Sequence, residues 1–244
     1  MKRKEKSLTQ IRAITLIVAA VVAAATAVWL TCAPKVEQRK AQEKQIALLE
    51  SIREGDGIVE LTGIVSGGEV DYYDGGAQAP AEEAALFAPL LEAPVSEITD
   101  DAAVSVPVET GVVNGIGILT IDSIELEMPV AEGVSAAQLK ISAGHVPQTA
   151  AIGSTGNAVI AGHRNYAYGD HFNRLGEMAI GDEIRYLSID GEEMTFVVDE
   201  ILEVLPGDQV AFKQPDDTAR LTLYTCTPIR TATHRLLIRA TRVL

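Results

Sequence analysis

From Gly115 onward the chain is written in short segments of alternating apolar and polar residues. That alternation restricts its fold more than any other feature. "GILTIDSIEL" and "EMPVAEG" alternate and then break, and "NAVIAGH" is a short apolar run ending at His163. "GDEIRYLSIDGEEMTFVVDEIL" reads as a hairpin turning at Asp190-Gly191, and "ARLTLYTC" and "THRLLIRATRV" supply two further strands. Helical patches near Ser135–Ile141 and Phe172–Met178 interrupt the strands. Many short strands at close spacing predict a mainly β domain closed as a small barrel or sandwich over residues 112–244.

Period-two parity separates the two faces of "RLTLYTC". Leu221, Leu223 and Thr225 share one face, and Thr222, Tyr224 and Cys226 the other. Cys226 ends its strand, because Thr227-Pro228 must leave the sheet. An isolated cysteine is commonly a small buried hydrophobe. A cysteine at a strand end beside a loop is instead accessible to a substrate. A free thiol with a pKa of about 8.5 is mostly protonated at neutral pH and needs a basic or cationic neighbour to react. His163, at its own strand end, and Arg235, on the strand after the Cys226 loop, are candidates. Spacing alone does not exclude His145, His171 or His234.

The rest of the chain differs in kind. Ala13 to Ala33 carries no charged residue, follows Lys2, Arg3, Lys4, Lys6 and Arg12, and is long enough to cross a bilayer core of about 30 Å as a helix. The basic flank predicts that residues 1–12 stay in the cytoplasm and that everything after Pro34 lies outside. A cleaved signal peptide is the rival, but its apolar core would run to roughly 7–15 residues, which favours a retained anchor. Lipidation at Cys32 fits poorly with Trp29-Leu30-Thr31 before it, and a Cys32–Cys226 disulfide does not resemble the multi-bridge frameworks of exported domains.

Residues 34–55 read as a stalk helix with Val36, Ile46, Leu49 and Ile52 as a thin apolar stripe. Residues 56–111 hold twelve acidic and no basic side chains and are rich in Gly, Ala and Pro, the composition of a largely disordered acidic linker. With a formal net charge of -14, the chain repels phosphate backbones, and nucleic acid is not an expected partner. No HExxH-type or paired Cys/His spacing supports a metal, and no cofactor is implied.

These segments together resemble the sortases. "TLYTC" matches the sortase TLxTC signature, "NAVIAGHRN" resembles the strand that carries the sortase histidine, and "THRLLIRA" the strand that carries the sortase arginine. "GILTIDSIELEMPVAEG", "GHVPQTA" and "FNRLGEMAIGDEI" fit sortase segments in the same order, so the resemblance covers about residues 112–244. It implies a closed sortase-type β-barrel behind a transmembrane helix and an acidic linker, in the cell membrane of a Gram-positive cell with the catalytic domain outside.

Carried over residue by residue, the resemblance makes Cys226 the nucleophile, His163 the general acid/base and Arg235 the donor to the substrate carbonyl or oxyanion. Arg239 is the rival arginine. Parity puts both arginines on the same side of the strand, and the match of "RLLIRA" to the end of the motif favours Arg235. The implied activity is cysteine transpeptidation: cleavage of an LPxTG-type sorting signal through a thioester, then transfer to an amine on a cell-wall precursor or pilin. "TCTP…THRLL" is similar to the pilin-polymerising class C sortases. The Asp-Pro-aromatic lid motif and second membrane span of that class are not seen in these residues. "GHVPQTA" is similar to class D, which is the preferred reading.

Competing assignments fit less well. Cysteine L,D-transpeptidases carry "HGC" where this chain has "YTCTP", and papain-like proteases place their cysteine near the mature N-terminus at a helix start. The non-enzyme alternative is a membrane-anchored β-domain that binds cell-wall or surface proteins.

Overall fold

A computed structural model of the protein describes residues 38–61, 111–164, 171–215, 217–229 and 231–243. The apolar run Ala13–Ala33 lies outside them. Among the described residues no helix is long and apolar enough to cross a membrane. The chain divides into two compact units, Met1–Glu43 and Lys44–Leu244. Of the first, residues 38–43 are described and are helical.

The second unit is mainly β. Its strands are β1 (Ile58–Glu60), β2 (Val112–Ile121), β3 (Leu126–Glu132), β4 (Ala143–His145), β5 (Gly156–Ala161), β6 (Glu183–Ser188), β7 (Glu193–Val204), β8 (Ala219–Thr227) and β9 (His234–Val243). They run in the order β1-β2-β3-β4-β5-β8-β9-β7-β6, and β6 pairs back onto β2, so β2 to β9 close into an eight-stranded barrel. Closure removes the open edges that a sheet of this size would otherwise expose. Helical residues 38–54 form α1, and Ala136–Leu139 form α2 inside the predicted 135–141 patch. Ser135 and Gln138 close a reciprocal capping box at its start. The second patch is a 3-10 turn, Leu175–Glu177. The β6–β7 hairpin turns at Asp190-Gly191, where Gly191 takes the positive φ of 84°.

Two apolar layers sandwich the strands that carry Cys226 and His163. Inside the barrel lie Leu119, Ile121, Ala158, Ile160, Phe196, Leu221, Leu223, Leu236 and Ile238. On the outer face Val159, Ala161, Tyr224 and Leu237 pack with Leu202, Val204, Ala211 and Phe212. Every residue of β5 is therefore buried, which is why "AVIA" is continuously apolar rather than alternating. The outer cover is the β7–β8 connection. Asn157 Nδ2 donates to Ala211 O at 2.7 Å, and Gln214 Oε1 accepts from Asn157 N at 2.7 Å.

The N-terminal boundary differs from the sequence expectation. Residues 44–54 of α1 lie against the barrel. Leu48 and Ile52 are buried while Ile46 is 49% exposed, so the contact stripe is shifted from the one read along the sequence. Gly115 permits the approach, because a Cβ there would stand 2.6 Å from Ile52 Cδ1. Lys44 Nζ also donates to Glu60 O at 2.7 Å. The compact unit thus begins at Lys44, upstream of Val112.

Residues 58–60, within the predicted linker, form β1 and pair antiparallel with β2 through Ile58↔Asn114 and Glu60↔Val112. Leu61 N donates to Gly111 O. Leu61 and Gly111, which border residues 62–110 outside the described residues, are thus bonded to each other.

Candidate active site

β8 and β9 are antiparallel neighbours in the register Cys226↔Arg235, Tyr224↔Leu237 and Thr222↔Arg239. Directly opposed residues project to the same face with Cβ atoms about 4.5–5.5 Å apart. Cys226 and Arg235 are thus side by side, 7% and 4% exposed.

β5 runs parallel to β8 with Ala161 level with Tyr224. The pairing continues past the strand end, where Gly162 N donates to Tyr224 O at 3.1 Å and Thr225 Oγ1 donates to Gly162 O at 2.7 Å. His163 follows two residues beyond Ala161, and continuing the β5–β8 register would bring it level with Cys226. Of the three residues singled out from the sequence, Cys226 and Arg235 are thus paired across β8 and β9, and His163 lies just past the end of β5, the strand on the other side of β8.

It also separates the two arginines. Arg239 Nη1 donates to Glu200 Oε2 at 2.7 Å, and its Nη2 donates to Val210 O. This arginine ties β9 to β7 and to the covering loop. Arg235 Nη1 donates to Ala232 O at 2.8 Å and His234 O at 3.0 Å, which folds the guanidinium over the β8–β9 turn at the level of Cys226. The Nε of each is buried without a hydrogen-bond partner among the described residues. Of the two, Arg235 is the one whose strand position is paired with the cysteine. Such a group suits a reaction in which negative charge develops on a neighbouring oxygen.

The remaining histidines separate by environment. His145 on β4 has both ring nitrogens engaged, Nδ1 with Glu132 Oε2 at 2.9 Å and Nε2 with Ala150 O at 3.0 Å. His234 is half-exposed, with Thr233 Oγ1 3.0 Å from its Nδ1. His171, one of the histidines that spacing left open, packs against His163. Its ring meets His163 edge-on at 6.4 Å between centroids, and the adjacent Phe172 N donates to His163 O at 3.0 Å. His171 Nδ1 is buried with no partner among the described residues. Burial, and then the charge of His163, lower its pKa from 6.5 to about 4. A histidine eight residues from His163 gives no sequence signal of contact, since a loop of unspecified path joins them.

Among the described residues, no three His, Cys, Asp or Glu side chains converge as metal ligands. The site can therefore be read as a thiol, an imidazole and a guanidinium on one face of the barrel. The sortase domain family model matches residues 119–243, which include all three.

The chain belongs to the sortase family. The family is one of cysteine transpeptidases, and this sortase is 32% identical over 138 residues to sortase D of Bacillus subtilis (strain 168), covering 55% of this chain. It spans 66% of that relative, just under two thirds of its length. Among solved structures it is similar to sortase C-1 from Streptococcus pneumoniae, with 30% identity and a TM-score of 0.51 over 53% of this chain and 67% of that one. Sortase C1 from Streptococcus suis is 31% identical with a TM-score of 0.51, over 53% and 73% of the two chains. The sortase thus has relatives in both class C and class D.

Proposed function

We propose that this sortase is anchored in the membrane by Ala13–Ala33 and works outside the cell as a transpeptidase, with Cys226, His163 and Arg235 as its catalytic residues. The observation that carries the reading is the Cys226↔Arg235 register pair, with His163 two residues past the end of the parallel neighbour strand. The substrate is a surface protein with an LPxTG-type sorting signal. The Cys226 thiolate attacks the Thr carbonyl carbon, and Arg235 donates to the oxygen on which charge develops. As the Thr–Gly C–N bond breaks, His163 gives its proton to the leaving amine and a thioester remains. An acceptor amine, on a cell-wall precursor or a pilin lysine, then attacks the thioester carbonyl. It loses a proton to His163 and releases the thiolate. The relatives span classes C and D; the "GHVPQTA" segment favours a class D-like enzyme.

The test is acyl-enzyme capture. Incubation with an LPxTG-type peptide should add the acyl mass to Cys226, seen by intact-mass spectrometry, and Cys226→Ala should lose the adduct. An adduct of undiminished yield in Cys226→Ala would sink the assignment. For the anchor, alkaline carbonate washing of membranes should leave the full chain in the pellet, and external protease should reach the barrel. Release by carbonate would refute the membrane span.

A further inference from the structure

Arg164 follows His163 directly, yet nothing in the proposed chemistry uses it. Its side chain joins three segments. Nε donates to Asn173 O at 3.3 Å and Nη1 donates to Cys226 O at 3.4 Å. Nη2 occupies the space where a Cβ on Gly176 would stand 2.7 Å away. The guanidinium therefore sits in a slot between the end of β5, the end of β8 and the turn at residues 173–176. The absence of a side chain at Gly176 makes room for it.

This is an unusual place for a charge. Arg164 is half-buried, and among the described residues no carboxylate lies within ion-pair distance of it. Burial lowers its pKa, while the negative charges of Cys226 and Glu203 act to raise it. Glu203 is itself half-exposed and lies 3.9 Å from His234. A half-buried guanidinium bonded to the main chain of a thiol-bearing residue favours the thiolate of that thiol. Its bond to the Cys226 carbonyl also restrains the main chain of the nucleophile. Arg235 stands on the other flank, so the two cations have different neighbours: Arg164 the Cys226 main chain, Arg235 the carbonyls of the β8–β9 turn.

We infer that Arg164 is a positioning residue of this sortase, a second cation that fixes the Cys226 main chain and holds its sulfur as the thiolate. The inference rests on Cys226 being the nucleophile. Among the described residues, the charged and titratable groups around Cys226 are Arg235 and His234 from β9, Glu203 from β7, and His163 and Arg164 from the end of β5, with His171 packed against His163. An effect of Arg164 must therefore be separated from one relayed through His163.

The measurement is the rate of Cys226 alkylation by iodoacetamide as a function of pH in the full chain, read at the Cys226 peptide by mass spectrometry so that Cys32 does not interfere. Arg164→Gln should raise the apparent pKa of Cys226 by about one unit. It should also lower kcat for thioester formation with little change in KM. Arg164→Lys, which keeps the charge, should recover most of the shift. The shift should persist in a His163→Gln background. An unchanged alkylation profile in Arg164→Gln, or a shift that disappears with His163→Gln, would overturn the inference. If Arg164→Gln does not fold, Gly176→Ala, whose Cβ crowds the guanidinium, should move the profile in the same direction, and no movement there counts equally against it. Loss of the acyl adduct in Cys226→Ala alongside an unshifted profile defeats the role of Arg164 alone. An adduct that survives in Cys226→Ala defeats the reading on which that role rests.

Discussion

Cys226 and Arg235 are direct cross-strand partners on β8 and β9, whereas Arg239, on the same face, faces Thr222. Four residues of strand, about 13 Å, separate the two arginines. Arg235→Ala should therefore slow thioester formation by roughly 10²-fold or more while the barrel stays folded. Arg239→Ala removes a buried tie to Glu200 and the Val210 carbonyl and should lower unfolding stability by about 2 kcal/mol, with a smaller loss of rate. Stopped-flow acylation and urea melts of both variants distinguish the roles. A larger rate loss in Arg239→Ala would reverse the assignment.

Residues 44–54 of α1 act as part of the barrel. Leu48 is fully buried against Gly115. Leu48→Ala should destabilise the barrel by about 3 kcal/mol, the usual cost of deleting a buried leucine side chain. A fragment starting at Val112 should be less stable than one starting at Lys44, as measured by chemical denaturation. Equal stabilities of the two fragments would mean that the helix contributes nothing to the fold.

The bond from Leu61 N to Gly111 O joins the two described residues that border the acidic stretch 62–110. Replacing residues 62–110 by a four-residue turn should leave the barrel folded. Shorter loops have less entropy to lose on closure, and the change favours folding by about 2 kcal/mol. The thermal midpoint should hold or rise. A fall of many degrees would show that the stretch supports the barrel.

His171 links stability to pH. It titrates at about 4 in the fold, lowered first by burial and then by the charge of His163, against 6.5 in the open chain. Between those values the unfolded chain binds a proton that the folded chain does not. The stability is complete above pH 6.5 and declines as pH falls through the window, by about 2–3 kcal/mol at pH 4.5. The residue sits at a φ of 49°, which asparagine tolerates. His171→Asn should flatten that part of the pH dependence in urea melts at pH 7 and 4.5. An unaltered difference between the two pH values would contradict the buried, neutral state of His171.

Much of this sortase is determined by local sequence. The alternation of β8 fixes which side of the strand Cys226 faces, because side chains on a strand have a period of two whatever lies around them. The Asp190-Gly191 turn and the capped helix at Ser135 are likewise local, set by residues within a few positions of one another. Parity could not choose between Arg235 and Arg239, since both satisfy it. The choice came from the β8–β9 register and from Glu200 and Val210, which capture Arg239 from elsewhere in the chain. The approach of His163 to Cys226 depends on parallel pairing between β5 and β8, strands more than sixty residues apart, and no sequence period encodes that contact. The same holds for the stripe on α1 and for the closed ends of the acidic segment. Each was decided by which surface of the barrel lay opposite, and that surface exists only once distant strands have paired.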